Sequence, residues 1–372
     1  MSLFRFLLII FICIVFIYVL LRLLDRRAKI LQMQNVTEGM TPTDEVTSLQ
    51  NAAANVSVTN IIPSRSTLPL REYCIKASYS SAFSGTYVSA TMIKYVLSRG
   101  CRYLDIPIYY SENDATPYVA HITDDKGIDN AGDNKIPLDV VFNAIAANAF
   151  SSSNSPNFGE PLFIELRIYP DSKMVVYNKV ASLIKSNFAR KRYIDTSDKD
   201  KAIQIDGATY INDASKNPSM MGVALFVMNK NNNPQFYAEK NTDLTDTLAG
   251  CINADLGVTP FHLQTYENLK GQTTNPPNIK DDFKSTNIIV YNTLFPDSAE
   301  LQPHPDIINT VVNYGIQVTA YKFYARDDML NRYEMLFDEY KCGFVPMAYA
   351  ISYLSTMNNE VSGKKMVMGP FA

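Results

Sequence analysis

Histidine is scarce, with 3 in a chain of 372 residues. So few imidazoles leave little room for a His-built metal cluster or for phosphodiester chemistry that needs several of them. Surplus charge is missing as well. Lys plus Arg number 34 against 37 Asp plus Glu, a formal net charge of -3, whereas a nucleic-acid binder needs a basic excess to displace phosphate counterions. No Gly-rich loop follows a strand-like run, so the usual phosphate cradle of a nucleotide site is lacking. No internal repeat or diagnostic single-residue tract occurs. The 5 cysteines share no spacing motif: Cys13 falls in an apolar run, and Cys74, Cys101, Cys251 and Cys342 in the remainder. That pattern suits buried thiols in a reducing compartment better than a disulfide framework. With 47% hydrophobic residues, the chain is not disordered as a whole and can bury a large core.

What is present begins with FLLIIFICIVFIYVLLRLL over residues 6–24, whose one charge, Arg22, lies near the end where it can snorkel to the interface. The run is long enough to cross a hydrocarbon core of about 30 Å as a helix. A cleaved signal peptide is the alternative, but bulky and basic residues follow where a small-residue cleavage site would stand. Arg22, Arg26, Arg27 and Lys29 on its C-terminal flank place the remainder on the cytoplasmic side by the positive-inside rule. Asn35-Val36-Thr37 and Asn55-Val56-Ser57 would be glycan acceptors were that side lumenal. Residues 25–66 read as a polar linker without sustained period.

From residue 67 to 372 the texture is that of one domain in which strands alternate with amphipathic helices. REYCIKASYSS, RYLDIPIYY, PYVAHIT, PLFIELRIY, GVALFVMNK, FHLQTY, NIIVYNTLF, IQVTAYKFY and CGFVPM read as strands. SATMIKYVLSRG, IPLDVVFNAIAANAF, SKMVVYNKVASLIKSNFARK, PDIINTVVNYG and DDMLNRYEMLFDEY read as helices. This order implies a mainly parallel sheet buried on both faces, and its size suits a closed TIM (β/α)8-type barrel, with a doubly wound open sheet as the alternative.

Residues 70–170 resemble the X region of phosphoinositide-specific phospholipase C. The resemblance rests on IKASYSSAFSG, YVLSRGCRYLDI, PYVAHIT, IPLDVVFNAIAANAF and EPLFIELRI in the family's order. Residues 255–347 are similar to its Y region through LFPDS, VNYGIQVTAY and the helix leading to Cys342-Gly343-Phe344. The resemblance implies a phospholipase C-like barrel using two His as acid and base, a bound calcium and an inositol phosphodiester.

On the family's functional positions this sequence departs. The first catalytic His falls at Tyr79 and the following Asn at Ser80. One acidic ligand falls at Asp105 and the next at Pro107. His121 matches the first His of a His-x-His strand, with Thr123 at the second. The calcium-binding Glu falls at Arg167, and Glu165 reaches that role only through a two-residue slip. Met228 replaces one phosphate-binding Lys and Lys230 keeps the other. Gly100, Cys101, Arg102, Gly315, Cys342 and Gly343, which support the fold, are retained.

The residues that would carry remaining chemistry are therefore His121 and Tyr79 as acid/base, Arg167 and Lys230 for an anion, and Asp105 and Glu165 for calcium if it is kept. A phenol near its ordinary pKa of about 10 is a poor base at neutral pH, and Arg167 is expected to pair with Asp105 or Glu165. The expectation is an inactive, membrane-anchored barrel with a structural, scaffold or lipid/anion-binding role, its partner a phospholipid head group or another protein. An active divergent phosphodiesterase is the alternative. Abundant Asn, Lys, Ile and Tyr point to an AT-rich genome, and an anchored barrel of this kind resembles membrane proteins of large DNA viruses.

Overall fold

The computed structural model describes residues 41–111, 113, 115–121, 134–169, 174–193, 222–229, 233, 248–256, 261–270, 291–295 and 302–361. The apolar run at 6–24, Thr123 and Lys230 lie outside them. Among the described residues no helix is long and apolar enough to cross a membrane.

The strands are β1 (Tyr73–Ser78), β2 (Tyr103–Tyr110), β3 (Pro117–Ala120), β4 (Lys135–Pro137), β5 (Leu162–Ile168), β6 (Ala224–Asn229), β7 (Ala254–Leu256), β8 (Phe261–Thr265), β9 (Tyr291–Phe295), β10 (Val318–Tyr321) and β11 (Phe344–Pro346). The helices are α1 (Pro42–Ala52), α2 (Ala90–Ser98), α3 (Leu138–Asn148), α4 (Met174–Phe188), α5 (Tyr266–Lys270), α6 (Asp328–Tyr340) and α7 (Met347–Val361). A short π-helical turn, Asn309–Asn313, replaces the regular helix expected before β10.

Eight strands pair in parallel in the order β7-β6-β5-β2-β1-β10-β9-β8. Followed round, this is chain order, the sequence of a (β/α)8 barrel, and it excludes the doubly wound alternative. The expected closure is incomplete. Cα atoms of β7 and β8 come within 8 Å, but no ladder joins them among the described residues. Three short strands stand off this path: β11 pairs antiparallel with the start of β1, and β3 and β4 form an antiparallel extension from the end of β2.

Strand alternation sorts side chains into two layers. Ile75, Ala77, Tyr103, Phe163, Leu225, Val227, Val318 and Ala320 form an inner core. Leu104, Ile106, Ile164, Leu166, Phe226 and Met228 point the other way and pack with the helices. Burial of each such apolar side chain contributes about 1.5–3 kcal/mol.

The segment read as linker contains α1. Thr41 caps it, accepting from the Asp44 N–H while the Asp44 carboxylate accepts from the Thr41 N–H, and Pro42 occupies the first turn. Val46 is fully buried and α1 lies along α2. A mostly polar helix with one buried side chain gives almost no periodic signal, which is why the sequence reads there as a linker.

The retained Gly-Cys-Arg and Cys-Gly motifs meet at the N-terminal end of the strands. Gly100 has φ +82°, and a Cβ there would stand 2.8 Å from Val58 Cγ1. A Cβ on Gly343 would stand 2.5 Å from Asn157 Nδ2 and 2.7 Å from Glu160 Oε2. Gly343 thus leaves room for fully buried Arg102, which donates to Ala149 O at 3.0 Å, Asn157 Oδ1 at 2.8 Å and Ser155 Oγ.

Glu160 faces the same guanidinium, 4.0 Å from its Nε. Burial outweighs Arg102, pushing the Glu160 carboxyl up to about 7 from 4.5. An acid raised on folding is protonated in the native state while the unfolded chain has already released its proton, so stability falls as pH rises from 4.5 to 7. The group's share is about 3 kcal/mol. Glu160→Gln is expected to flatten this slope, read as urea midpoints across that pH window.

Candidate functional site

The inner faces of β2 and β5, with the turn after β1, bring charges together at the C-terminal mouth of the barrel. The register sets Asp105 opposite Glu165 and Pro107 opposite Arg167. Arg167 reaches back to Asp105 and engages both carboxylate oxygens, its Nη2 donating to Oδ2 at 2.6 Å and its Nε to Oδ1. The same guanidinium donates to Tyr169 Oη at 3.0 Å, Ser80 Oγ at 3.3 Å and Tyr79 Oη at 3.4 Å. Its Cζ stands 4.6 Å from the centre of the Tyr79 ring. Burial opposes the charge on Arg167, but the Asp105 carboxylate holds its pKa well above the usual range.

Ser80 follows β1 with φ +44°, a left-handed conformation that costs a non-glycine residue energy. Asp105 helps to hold it, accepting from the Ser80 N–H at 2.7 Å, while Ser81 Oγ accepts from the Asp105 N–H at 3.0 Å. Asp105 thus organises the turn that carries Tyr79. Burial raises the Tyr79 phenol above its ordinary value, with Asp105 adding to the rise.

Of the two carboxylates expected as alternatives for Arg167, Asp105 takes the ion pair and Glu165 does not. Glu165 is fully buried opposite Asp105 and accepts from Tyr103 Oη at 2.9 Å; among the described residues its Oε1 has no hydrogen-bond partner. Burial, then the nearby Asp105 charge, raise its pKa well above the carboxylate range.

His121, just past β3, stacks face to face on Phe83, with centroids 3.7 Å apart and planes at 5°. The other edge of Phe83 meets Tyr324 at 4.7 Å, and the Tyr324 phenol is influenced by Tyr79, Arg167 and Asp105. His121 therefore borders the Tyr79-Asp105-Arg167 group through an aromatic wall. His304 is committed elsewhere: its Nε2 accepts from the Lys322 N–H at 2.9 Å and its Nδ1 stands 2.9 Å from Asp327 Oδ1.

Ser80, Tyr103, Tyr169 and Tyr324 belong to the site but were not among the residues expected to carry chemistry. Tyr169 could have been found, being two residues past Arg167 and so on the same strand face. Tyr103 likewise shares a face with Asp105.

Calcium, implied by the resemblance, needs several free oxygen ligands and usually more than one carboxylate. The residues present do not fit it. Asp105 has both oxygens on a guanidinium, Glu165 favours its protonated form, and Arg167 puts a cation beside them. Among the described residues no three His, Cys, Asp or Glu side chains converge.

Residues 66–208 match the model of the phosphatidylinositol-specific phospholipase C X domain. No curated protein matches the chain. Among solved structures, the PLC21 proteins of L. pealei and S. officinalis are similar with TM-scores of 0.52 and 0.50, each at 14% identity over 77% of this chain and 39% of theirs. A calcium-dependent phosphoinositol-specific phospholipase C from Pseudomonas sp. is similar at 14% identity over 79% of this chain and all of its own, with a TM-score of 0.47. The barrel-type fold is shared with the first of these, and the chain spans under two fifths of its length.

Proposed function

Residues 66–208 carry the X-domain pattern of the phosphatidylinositol-specific phospholipase C family, and on that premise we propose a membrane-anchored barrel of this type that no longer cleaves phosphodiesters. It serves as a structural, scaffold or lipid- and anion-binding component, in a membrane of a large DNA virus. The single observation that carries the loss is the occupancy of Asp105, whose two oxygens are taken by Arg167 and the Ser80 N–H.

In-line displacement at phosphorus needs a base, an acid and cationic stabilisation of the phosphoryl oxygens. Here the nearest cation is neutralised by its own carboxylate. The Tyr79 phenol is raised rather than lowered, so it is no base at neutral pH. His121 lies flat on Phe83, and His304 is tied to Asp327 and a backbone amide. Arg167, with its side chain 12% exposed at the mouth, keeps a small cationic surface for a head group.

The full chain in phosphatidylcholine vesicles, offered phosphatidylinositol and its phosphates with and without calcium, is expected to release no inositol phosphate above background. Turnover that disappears in His121→Ala overturns this reading in favour of a divergent phosphodiesterase built on His121, Asp105 and Tyr79.

A further inference from the structure

The loop from β1 to α2 carries Phe83, whose ring lies flat over His121, and this loop is gripped by residues distant in sequence. The Ser84 N–H and Ser84 Oγ both donate to Tyr87 O at 2.9 Å, closing a tight turn over 84–87. Glu45, in the first turn of α1, accepts from Ser84 Oγ and from the Tyr87 N–H at 3.3 Å, both on Oε2. Its other oxygen faces Gly85, where a Cβ would stand 3.4 Å from Oε1 and 3.9 Å from Tyr324 O. With φ +120°, a conformation side chains rarely adopt, Gly85 lets the turn lie between Glu45 and Tyr324. On the far side Asn134 Oδ1 accepts from the Val88 N–H at 2.7 Å, and Asn134 Nδ2 donates to Thr86 O.

Glu45 is itself well seated. The Thr41–Asp44 capping box fixes the turn that carries it, and Val46, the next residue, is fully buried where α1 lies along α2. A carboxylate in the first turn is also favoured by the positive end of the helix. What happens at the 84–87 turn passes directly to Phe83, because Phe83 and Val88 on either side of it form an antiparallel bridge. Phe83 in turn is wedged between His121, stacked at 3.7 Å, and the edge-on ring of Tyr324 at 4.7 Å. One line of contact thus runs from α1 through the turn and Phe83 to the imidazole.

We propose that α1 is an intramolecular clamp that withholds His121, with Glu45 as a positioning residue acting through the Ser84–Tyr87 turn and Phe83. With Glu45 in place the turn is closed and Phe83 covers the imidazole. Without it the turn loses two bonds to a charged group, while Asn134 still holds its far side. The covered state of His121 is then imposed by a helix that precedes β1, not by the barrel strands. The clamp deepens the reading of a mouth that no longer cleaves phosphodiesters, and rests on it, by naming what keeps one of its imidazoles covered.

Diethyl pyrocarbonate acylates accessible neutral imidazoles, and with 3 His in the chain each can be followed separately by mass spectrometry. In the full chain, Glu45→Ala is expected to speed acylation of His121 about ten-fold, the factor that one lost charge-assisted hydrogen bond gives to a local opening. Glu45→Gln, whose amide oxygen still accepts from Ser84 and Tyr87, is expected to stay close to the unsubstituted chain. His304, held by the Lys322 N–H and Asp327, is the internal control and is expected not to change. Phe83→Ala is expected to expose His121 by itself and to leave Glu45→Ala nothing to add. An unchanged His121 in Glu45→Ala overturns the clamp, and so does a parallel rise at His304, which marks opening of the whole barrel. A further rise when Glu45→Ala is added to Phe83→Ala overturns the route through Phe83. Inositol phosphate release by the unsubstituted chain sinks the reading of lost cleavage without altering the labelling pattern, so the two failures are told apart.

Discussion

Asp105→Asn is expected to destabilise the barrel by about 3–5 kcal/mol, the usual result of stripping one partner from a buried ion pair. The asparagine fills the same space and can still accept from the Ser80 N–H. It cannot offer two anionic oxygens to the guanidinium, and the remaining partners of Arg167, Tyr169, Ser80 and Tyr79, are neutral hydroxyls. Glu165, opposite Asp105, is close enough to ionise in compensation, but only at the expense of a charge on a fully buried carboxyl that burial disfavours. Urea unfolding reads the loss as a lower midpoint at unchanged slope. Adding Arg167→Gln removes the stranded charge and is expected to recover much of it, giving a large coupling energy in the double-mutant cycle. A loss below about 1 kcal/mol would mean that Arg167 behaves as an exposed surface cation.

The same residues mark what a sequence can and cannot disclose. LDIPIYY and LFIELRI alternate legibly, so Asp105, Glu165 and Arg167 could each be placed on an inner strand face. The choice of partner could not be read, because it depends on the register between β2 and β5, strands separated by the β3–β4 extension and α3. That register sets the two carboxylates opposite each other and leaves Tyr103, rather than Arg167, to bond Glu165. α1 had a readable signature in Thr41-Pro42-x-Asp44, but one buried Val46 is too little apolar periodicity to outweigh a polar composition. α7 lay beyond the last motif of the resemblance and was missed, although MAYAISYL carries buried Met347, Ala350, Ile351 and Leu354 at helical spacing. The open seam between β7 and β8 is a matter of long-range closure, to which local pattern is blind.

Glu334→Ala is expected to cost at least as much as the loss of Asp105, although it lies outside the mouth. Glu334 projects from α6 onto the outer face of β1. Its carboxylate takes two bonds from Arg99, at 2.7 and 2.6 Å, with Lys76 Nζ at 3.3 Å and Arg326 at 3.5 Å. Lys76 is 0% exposed, so removing the carboxylate strands a fully buried ammonium beside two guanidinium groups. About 3–5 kcal/mol follows from the first uncompensated charge, before repulsion among the cations is counted. Lys76→Met is expected to cost far less, because Arg99 still holds the carboxylate and the thioether chain can fill the space against Phe337. Acid separates the two cases. Burial works against the ionised Glu334, yet Lys76, Arg99 and Arg326 together keep its pKa below the usual carboxylate value. A depressed acid contributes stability that is fully present above its unfolded pKa and is lost as pH falls through the folded one. Thermal unfolding of the wild type and Lys76→Met should therefore share an acid limb attributable to Glu334, and Glu334→Ala should lack it while melting lower at neutral pH. An acid limb that persists in Glu334→Ala would move its origin to other carboxylates and show that the three cations are stabilised by solvent rather than by Glu334.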